Sequence, residues 1–293
     1  MDERRVALVT ARVAAATDAD LPPLMQALAD VGLAPEAACW DDAAVDWSRY
    51  RLAVLRSPWD YVPRYEEFLA WLTRVEQVTT VLNRPEVVRW STDKRYLRDL
   101  AADGVPVVPT TFFEPSDPRP QVHQLPAGLE GGSDLVVKPV VSAGSKDTMR
   151  HSSPSAALDH VHALLAAGRA VMVQPYQDAV DGYGETGLVY FDGIFSHAFR
   201  KGPILARDAA PTDEFFAPEE IAAREPSAAE RAAADAAIAA SPPNLLYARV
   251  DLVPDRNGKP VVLELELAEP SYFVSVAPES ARRFADCVAA RLT

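Results

Sequence analysis

Arg249-Val250-Asp251-Leu252-Val253, then Asn257-Gly258, then Val261-Val262-Leu263-Glu264-Leu265-Glu266-Leu267: this stretch decides the fold of the 293-residue chain. Charged and apolar residues alternate on both sides of a turn signal, the pattern of a half-buried antiparallel hairpin. A two-residue turn at Asn257-Gly258 sets Asp251 opposite Glu264 and Arg249 opposite Glu266. A four-residue turn with Arg256 at its centre pairs Arg249 with Glu264 instead. In either register Arg249, Asp251, Glu264 and Glu266 share one face, because side chains alternate with period two. Val250, Leu252, Leu263 and Leu265 share the other and are predicted to enter the core.

A wet, charged outer face is the ordinary reading of such a hairpin. Three carboxylates against one arginine make a poor surface, however, because like charges facing each other across strands destabilise the pair. At ~4 Å they repel by about 1 kcal/mol in water and about 4 kcal/mol at intermediate dielectric. A hard divalent cation reverses that sign, and oxygen ligands suit Mg²⁺, which is held by one or two carboxylates plus substrate phosphates. Asp251, Glu264 and Glu266 are therefore the candidate metal ligands, and a nucleotide is the expected companion.

Upstream, Val136-Val137-Lys138-Pro139 ends a buried strand on a lysine and leads into the small-residue loop Ser142-Ala143-Gly144-Ser145. Successive backbone N–H groups in such a loop can form an anion-binding concavity, although a plain small-residue turn reads the same way. No Gly-x-x-x-x-Gly-Lys-Ser/Thr motif is present. Lys94 opens a helix predicted over Asp93–Ala102.

Taken in order, Thr92-Asp93-Lys94, Val136-Val137-Lys138-Pro139 with its loop, Val173-Gln174-Pro175-Tyr176, Arg249-Val250-Asp251 and Val262-Leu263-Glu264-Leu265-Glu266 resemble the ATP-grasp superfamily from about Thr92 to Ser271. That resemblance implies ATP and Mg²⁺ as cofactors and a carboxylate phosphorylated to an acyl phosphate. It implies that Lys94 and Lys138 contact ATP, that Ser142, Gly144 and Ser145 cover its phosphates, and that Gln174, Pro175 and Tyr176 form the adenine hinge. Asp181 or Glu185 would take the ribose, and Arg249 would stabilise the reacting phosphoryl charge. The family usually carries Glu-x-Asn where this chain has Glu264-Leu265-Glu266, which leaves the number of metal ions and the role of Glu266 open.

Residues 1–88 alternate strand and helix: a strand at 5–9, a helix from Leu21 to Val31 stopped by Gly32, strands at 37–40 and 52–55, and an amphipathic helix from Pro63 to Val78. This is a parallel α/β unit without a dinucleotide glycine motif. The expected architecture is that domain, then an ATP-grasp small subdomain over 89–173, then a C-terminal subdomain over 174–293 with antiparallel sheets and the metal site. Gly187–Phe191 and Ile194–Arg200 flank the hairpin signal Asp192-Gly193, residues 201–217 read as a mobile loop able to act as a lid, and Ser227 with Glu230 has capping-box spacing.

Two stretches are candidates for holding substrate. Arg56-Ser57-Pro58-Trp59-Asp60-Tyr61 follows a strand at its carboxyl end, where Arg56 can take a carboxylate with Ser57 and Asp60 beside it; a surface loop is the competing reading. Arg200 and Lys201 offer a cationic edge beside the loop, and Ser271 lies downstream of the hairpin. Together with Thr10-Ala11-Arg12 and Leu263-Glu264-Leu265-Glu266, the 56–61 stretch is similar to the cyclo-ligases that close O-ureido-D-serine to D-cycloserine. That resemblance implies intramolecular ring closure on a small amino-acid-like substrate, with loss of CO₂ and ammonia. Alternatives are a ligase joining two separate molecules and an ATP-binding protein without activity.

Composition excludes other classes. The net charge of −13 disfavours nucleic acid and anionic membrane. Cys39 and Cys287 alone make no disulfide framework or zinc site. Asp2, Glu3 and Arg12 argue against a secretion signal, and no apolar run reaches the ~18 residues of a membrane span. A cytoplasmic enzyme is expected, with a homodimer left open. None of the five histidines falls in a triad or metal spacing.

Overall fold

The computed structural model describes residues 4–126, 134–205, 207–208 and 220–292. Its first sheet is parallel, with β1 (Arg5–Thr10), β2 (Ala34–Cys39), β3 (Leu52–Ser57) and β4 (Thr80–Leu82) in the order β2-β1-β3-β4. Val6 to Val9 and Leu52 to Leu55 are fully or almost fully buried, as strands covered on both faces require. The helix Leu21–Asp30 carries prolines in its first turn, where no N–H bond is lost, and ends before Gly32 at φ 86°. The amphipathic segment from Pro63 is shorter than expected: a 3₁₀ turn at Val62–Arg64 leads into a helix over Tyr65–Val75 that buries Phe68, Trp71, Leu72 and Val75.

The second sheet, β5 (Thr111–Phe113), β6 (Leu135–Pro139), β7 (Met149–His151) and β8 (Val171–Pro175), is antiparallel in the order β5-β8-β6-β7. The helix Pro154–Ala166, capped by the Ser153 hydroxyl on Ala156 N, covers it. The division expected at 173/174 falls inside β8. The third sheet is also antiparallel, with β9 (Glu185–Phe191), β10 (Ile194–Lys201), β11 (Ile221–Ala223), β12 (Tyr247–Pro254) and β13 (Pro260–Glu266) in the order β11-β10-β9-β12-β13. Asp192 and Gly193, both left-handed at φ 51° and 75°, make the tight turn between β9 and β10. Ser227 and Glu230 form the expected reciprocal capping box on the helix Ala228–Ala239. Of the 201–217 loop, residues 206 and 209–217 lie outside the described residues.

The structure corrects two local expectations. The helix predicted over Asp93–Ala102 begins only at Tyr96, as Tyr96–Ala102, and a separate helix not expected from the sequence, Pro85–Thr92, precedes it. Asp93 is extended between them, and its carboxylate accepts from Arg95 N at 3.0 Å. This break frees Lys94 from helical geometry, and its N–H donates instead to Val140 O at 3.1 Å.

The second correction concerns the decisive hairpin. Arg249 pairs with Glu266 and Asp251 with Glu264, but Leu252 then pairs with Val262, because a bulge at Leu263 slips the ladder by one residue. The connection is residues 255–259, where Asp255 Oδ1 accepts from both Asn257 N and Lys259 N at 2.8 Å. Past the bulge the faces exchange. Val262, fully buried, takes the core place beside Val250, Leu252 and Leu265, and Leu263 turns to the charged side.

The N-terminal unit is bound tightly to the third sheet. Asn83, wholly buried, donates to Tyr247 O and Leu267 O at 2.9 and 2.8 Å and accepts from Leu246 N at 2.6 Å. The helix Ser280–Ala290 packs on Leu21–Asp30 over a shared apolar cluster that includes Phe191, Tyr272 and Phe284.

Candidate active site

A cavity opens between the second and third sheets, closed at one end by the Trp59–Tyr61 segment. Its charged wall is the outward face of β12 and β13. Arg249 lies over Asp251, with Nε 2.9 Å from Oδ1 and Nη2 2.8 Å from Oδ2; Nη2 also pairs with Glu266, and Nη1 donates to Ser271 O at 3.1 Å. Opposite stand the two expected lysines. Lys138 Nζ is 2.7 Å from Glu264 Oε1, and Lys94 Nζ lies 3.9 Å from the same oxygen while donating to Ser142 O at 2.9 Å.

This packing shifts neighbouring carboxyls in opposite directions. Burial works to raise Glu264, but the ammonium groups of Lys138 and Lys94 outweigh it and hold the group well below the ordinary carboxylate range. Glu266 is pushed up to about 7, chiefly by burial, with Arg249 opposing and Asp251 and Glu264 adding to the rise. Glu185 is raised to about 6 by burial against the pull of Lys201, whose Nζ is 4.0 Å away. Among the described residues no three acidic or imidazole groups form a ready-made metal cage. Asp251, Glu264 and Glu266 are instead turned onto Arg249 and Lys138. Their oxygens are the donors Mg²⁺ takes, and an ion held partly by phosphates needs only one or two of them. The residues therefore fit Mg²⁺ when it arrives with a phosphate ligand.

The loop after β6 turns through left-handed backbone at Gly144 (φ 61°) and Ser145 (φ 59°), and Ser142, Gly144 and Ser145 all line the cavity. Gln174, Pro175 and Tyr176 line it too. The Tyr176 N–H is already committed to Asp134 O at 2.8 Å, so the hinge does not offer that donor. Val136, Tyr176, Val253 and the bulged Leu263 make an apolar slot beside it. Behind the slot the Arg150 guanidinium sits 3.5 Å from the centre of the Tyr176 ring and is anchored on Asp134 at 2.6 Å.

The remaining candidates divide sharply. Glu185 lines the cavity, whereas Asp181 stands outside its lining, accepting from Tyr176 Oη at 2.5 Å and from Arg150 Nη1 at 3.2 Å. Lys201 lines it, whereas Arg200 alternates to the other face and donates to Tyr183 O and Gly182 O at 2.9 and 3.3 Å. Ser271 lines it, as do Glu269 and Phe273, two positions to either side.

Arg56, Ser57 and Asp60 do not line the cavity. Arg56 is 1% exposed, paired with Asp18 at 2.8 Å and Asp20 at 3.4 Å, and bonded to Pro270 O, with its guanidinium 4.7 Å from the centre of the Tyr272 ring. Ser57 shares a 2.8 Å hydrogen bond with Thr10, and Asp60 accepts from Trp40 Nε1 at 2.7 Å and from Arg64. These three residues are scaffold. Arg56 supports the 269–274 loop, directly at Pro270 O and through Asp20, to which the N–H groups of Tyr272, Phe273 and Val274 donate at 2.7, 3.0 and 2.8 Å.

Sequence reasoning did not single out Glu269, Tyr61 or Asp20. For Glu269 the available signal was its place just beyond the carboxyl end of a site-bearing strand.

Comparison with known proteins agrees with this architecture. Residues 6–83 match the family described as D-cycloserine synthetase DcsG, N-terminal domain. The chain is 44% identical over 98% of its length to the cycloserine biosynthesis protein DcsG of Streptomyces lavendulae, of which it covers 98%. It superposes on the crystal structure of a D-cycloserine synthetase DcsG with a TM-score of 0.89 at 42% identity, covering 99% of this chain and 100% of that one. A D-alanine–D-alanine ligase from Bacillus anthracis, solved with ATP, shares the fold at a TM-score of 0.68 and 14% identity, over 99% of this chain and 97% of its own. The chain is thus a ligase of the ATP-grasp fold and belongs to the D-cycloserine synthetase DcsG family.

Proposed function

We propose that this ligase binds MgATP in the cavity between the second and third sheets and uses it to close O-ureido-D-serine to D-cycloserine. The observation that carries this reading is the 44% identity to a cycloserine biosynthesis protein along nearly the whole chain; the side chains of the cavity supply the chemistry. Bound magnesium would neutralise phosphate charge from the Asp251, Glu264 and Glu266 side. Lys94 and Lys138, now on Glu264, are placed to pass to phosphate oxygens, and Leu263, Val136 and Tyr176 to take the base, with Glu185 at the ribose. Arg249 holds the transferred phosphoryl group on the same face. Catalysis of this kind is positioning and charge neutralisation rather than nucleophile activation.

The reaction balances as follows. The substrate carboxylate oxygen attacks the γ-phosphorus and ADP leaves. The ureido nitrogen on the aminooxy oxygen attacks the acyl carbon and phosphate leaves, forming the ring N–C bond. Water then takes the carbamoyl group off that nitrogen as CO₂ and ammonia. The test is ADP release from MgATP with O-ureido-D-serine as the only organic co-substrate, with the product identified by mass. Release only when a second amine is supplied would assign the enzyme to intermolecular ligation and overturn the cyclisation.

A further inference from the structure

We infer that Glu269 is the residue that recognises the free ammonium group of the substrate, so that the cavity selects small α-amino acids with an unmodified amine. This deepens the ligase reading above and rests on it. Most carboxylates of the cavity have a cation in contact. Glu264 is matched by Lys138 and Lys94, Asp251 and Glu266 by Arg249, and Glu185 by Lys201. Glu269 lines the same cavity, yet its hydrogen-bond partner is the neutral hydroxyl of Tyr61; Lys94 and Arg249 act on it only at a distance while paired elsewhere, and no close ion pair reaches it among the described residues. A carboxylate buried in a cavity wall with no cation in contact is costly unless a ligand supplies one.

The surroundings favour an ammonium over a metal ion. Trp59 and Tyr61 line the cavity beside Glu269, and aromatic side chains suit an organic cation. Glu269 also lies beyond the end of β13, off the hairpin face that carries the other three carboxylates. Its main chain is fixed from several sides: Trp59 Nε1 donates to Glu269 O at 3.1 Å, Arg249 Nη1 to Ser271 O at 3.1 Å, and the next three N–H groups donate to Asp20. A recognition group needs such support to hold its geometry. Arg249, which reaches both Ser271 O and the Asp251–Glu266 face, links this wall to the phosphoryl side. An amino acid with its ammonium on Glu269 would present its carboxylate toward Arg249.

The experiment is calorimetric titration of the full chain, in the presence of MgADP, with O-ureido-D-serine, D-serine and their N-acetyl derivatives. The free amines are expected to bind and the N-acetyl forms to bind at least about tenfold more weakly, the scale of losing one close charge pair. Glu269→Gln is expected to weaken the free amines by a similar factor and to leave MgADP affinity and its magnesium requirement within about twofold. Equal binding of the N-acetyl forms, or wild-type affinity for free amines in Glu269→Gln, overturns the inference. So does an altered magnesium requirement, which would make Glu269 a metal ligand, or a wild type that binds MgADP but no amino acid. The N-acetyl arm needs no variant, so a misfolded Glu269→Gln does not decide the matter. Free amines that bind through Glu269, with no ADP release from MgATP and O-ureido-D-serine, would leave the ammonium site standing and defeat the proposed cyclisation alone.

Discussion

The two ends of the cavity are built by different means. At one end the lining side chains project from strands: Lys138 from β6, Glu185 from β9, Lys201 from β10, Asp251 from β12 and Glu264 from β13. At the other they come from connections, Trp59 and Tyr61 after β3 and Glu269, Ser271 and Phe273 after β13. Ladder hydrogen bonds hold the first set in place. The second set depends largely on side-chain bonds, several from residues outside the cavity lining, with Arg56 and Asp20 doing for a loop what backbone pairing does for a strand. One end can thus be altered residue by residue, while the other responds as a unit.

The contrast is sharpest in the change expected to cost most activity. Glu264→Gln should lower the rate of ADP release on the order of a thousandfold, as removal of a preorganised electrostatic group does, with the fold retained although Lys138 and Lys94 lose their carboxylate. Equal activity at saturating magnesium would remove Glu264 from the metal assignment.

Arg56→Ala should do the opposite. It strands Asp18 and Asp20 without their cation in the interior, a loss of about 3–5 kcal/mol, and the melting temperature should fall on the order of 10 °C. If thermal scans show no loss, the loop is not held in the way its contacts indicate.

A smaller effect separates the carboxyls by pH. Glu266 titrates at about 7 in the folded chain against 4.5 for a free glutamate, so the folded state holds an extra proton between those values. Stability from this group is full below pH 4.5 and is lost as pH rises through 7. The ligand-free protein should melt lower at pH 7.5 than at pH 5.5, and Glu266→Gln should flatten that slope. Glu264, held below its free value, acts in the other direction and only in more acidic solution. A slope that persists in Glu266→Gln would place the titrating group elsewhere, with Glu185 the next to test.

Arg200→Ala should change least, within about twofold in kcat/KM, because its guanidinium holds backbone carbonyls away from the cavity. A large fall would put it back in the site.

The strand-borne end was legible because alternation is a strong signal and survives errors in the turn. Asp251 faces Glu264 although the connection is 255–259 rather than two residues, since the bulge at Leu263 compensates for the longer loop. The same bulge explains the one core residue misread there: Leu263 and Val262 exchange faces past it. The sequence predicts a helix from Asp93, but the Asp93 carboxylate takes the Arg95 N–H and the helix starts only at Tyr96, so local side-chain chemistry beats helical periodicity. The loop-borne end was illegible for a different reason. An arginine at the carboxyl end of a parallel strand reads as a ligand-binding group, and nothing near Arg56 in sequence announces that its partners are Asp18, Asp20 and Pro270. Arg200 and Lys201 illustrate the same limit in miniature: one step along β10 decides which of two adjacent cations enters the cavity.

The Asp20 contact has a consequence for the order in which the molecule is made. Asp20 and the N–H groups it accepts are 252 to 254 positions apart. During synthesis the first parallel sheet can form early, as N-terminal units do. Its Asp18, Asp20 and Arg56 then wait, paired with one another, until the segment ending at Val274 has left the ribosome. The substrate wall is therefore among the last parts of the enzyme to close, and a nascent chain in which the charged hairpin has already folded still lacks the surface on which its acceptor would rest.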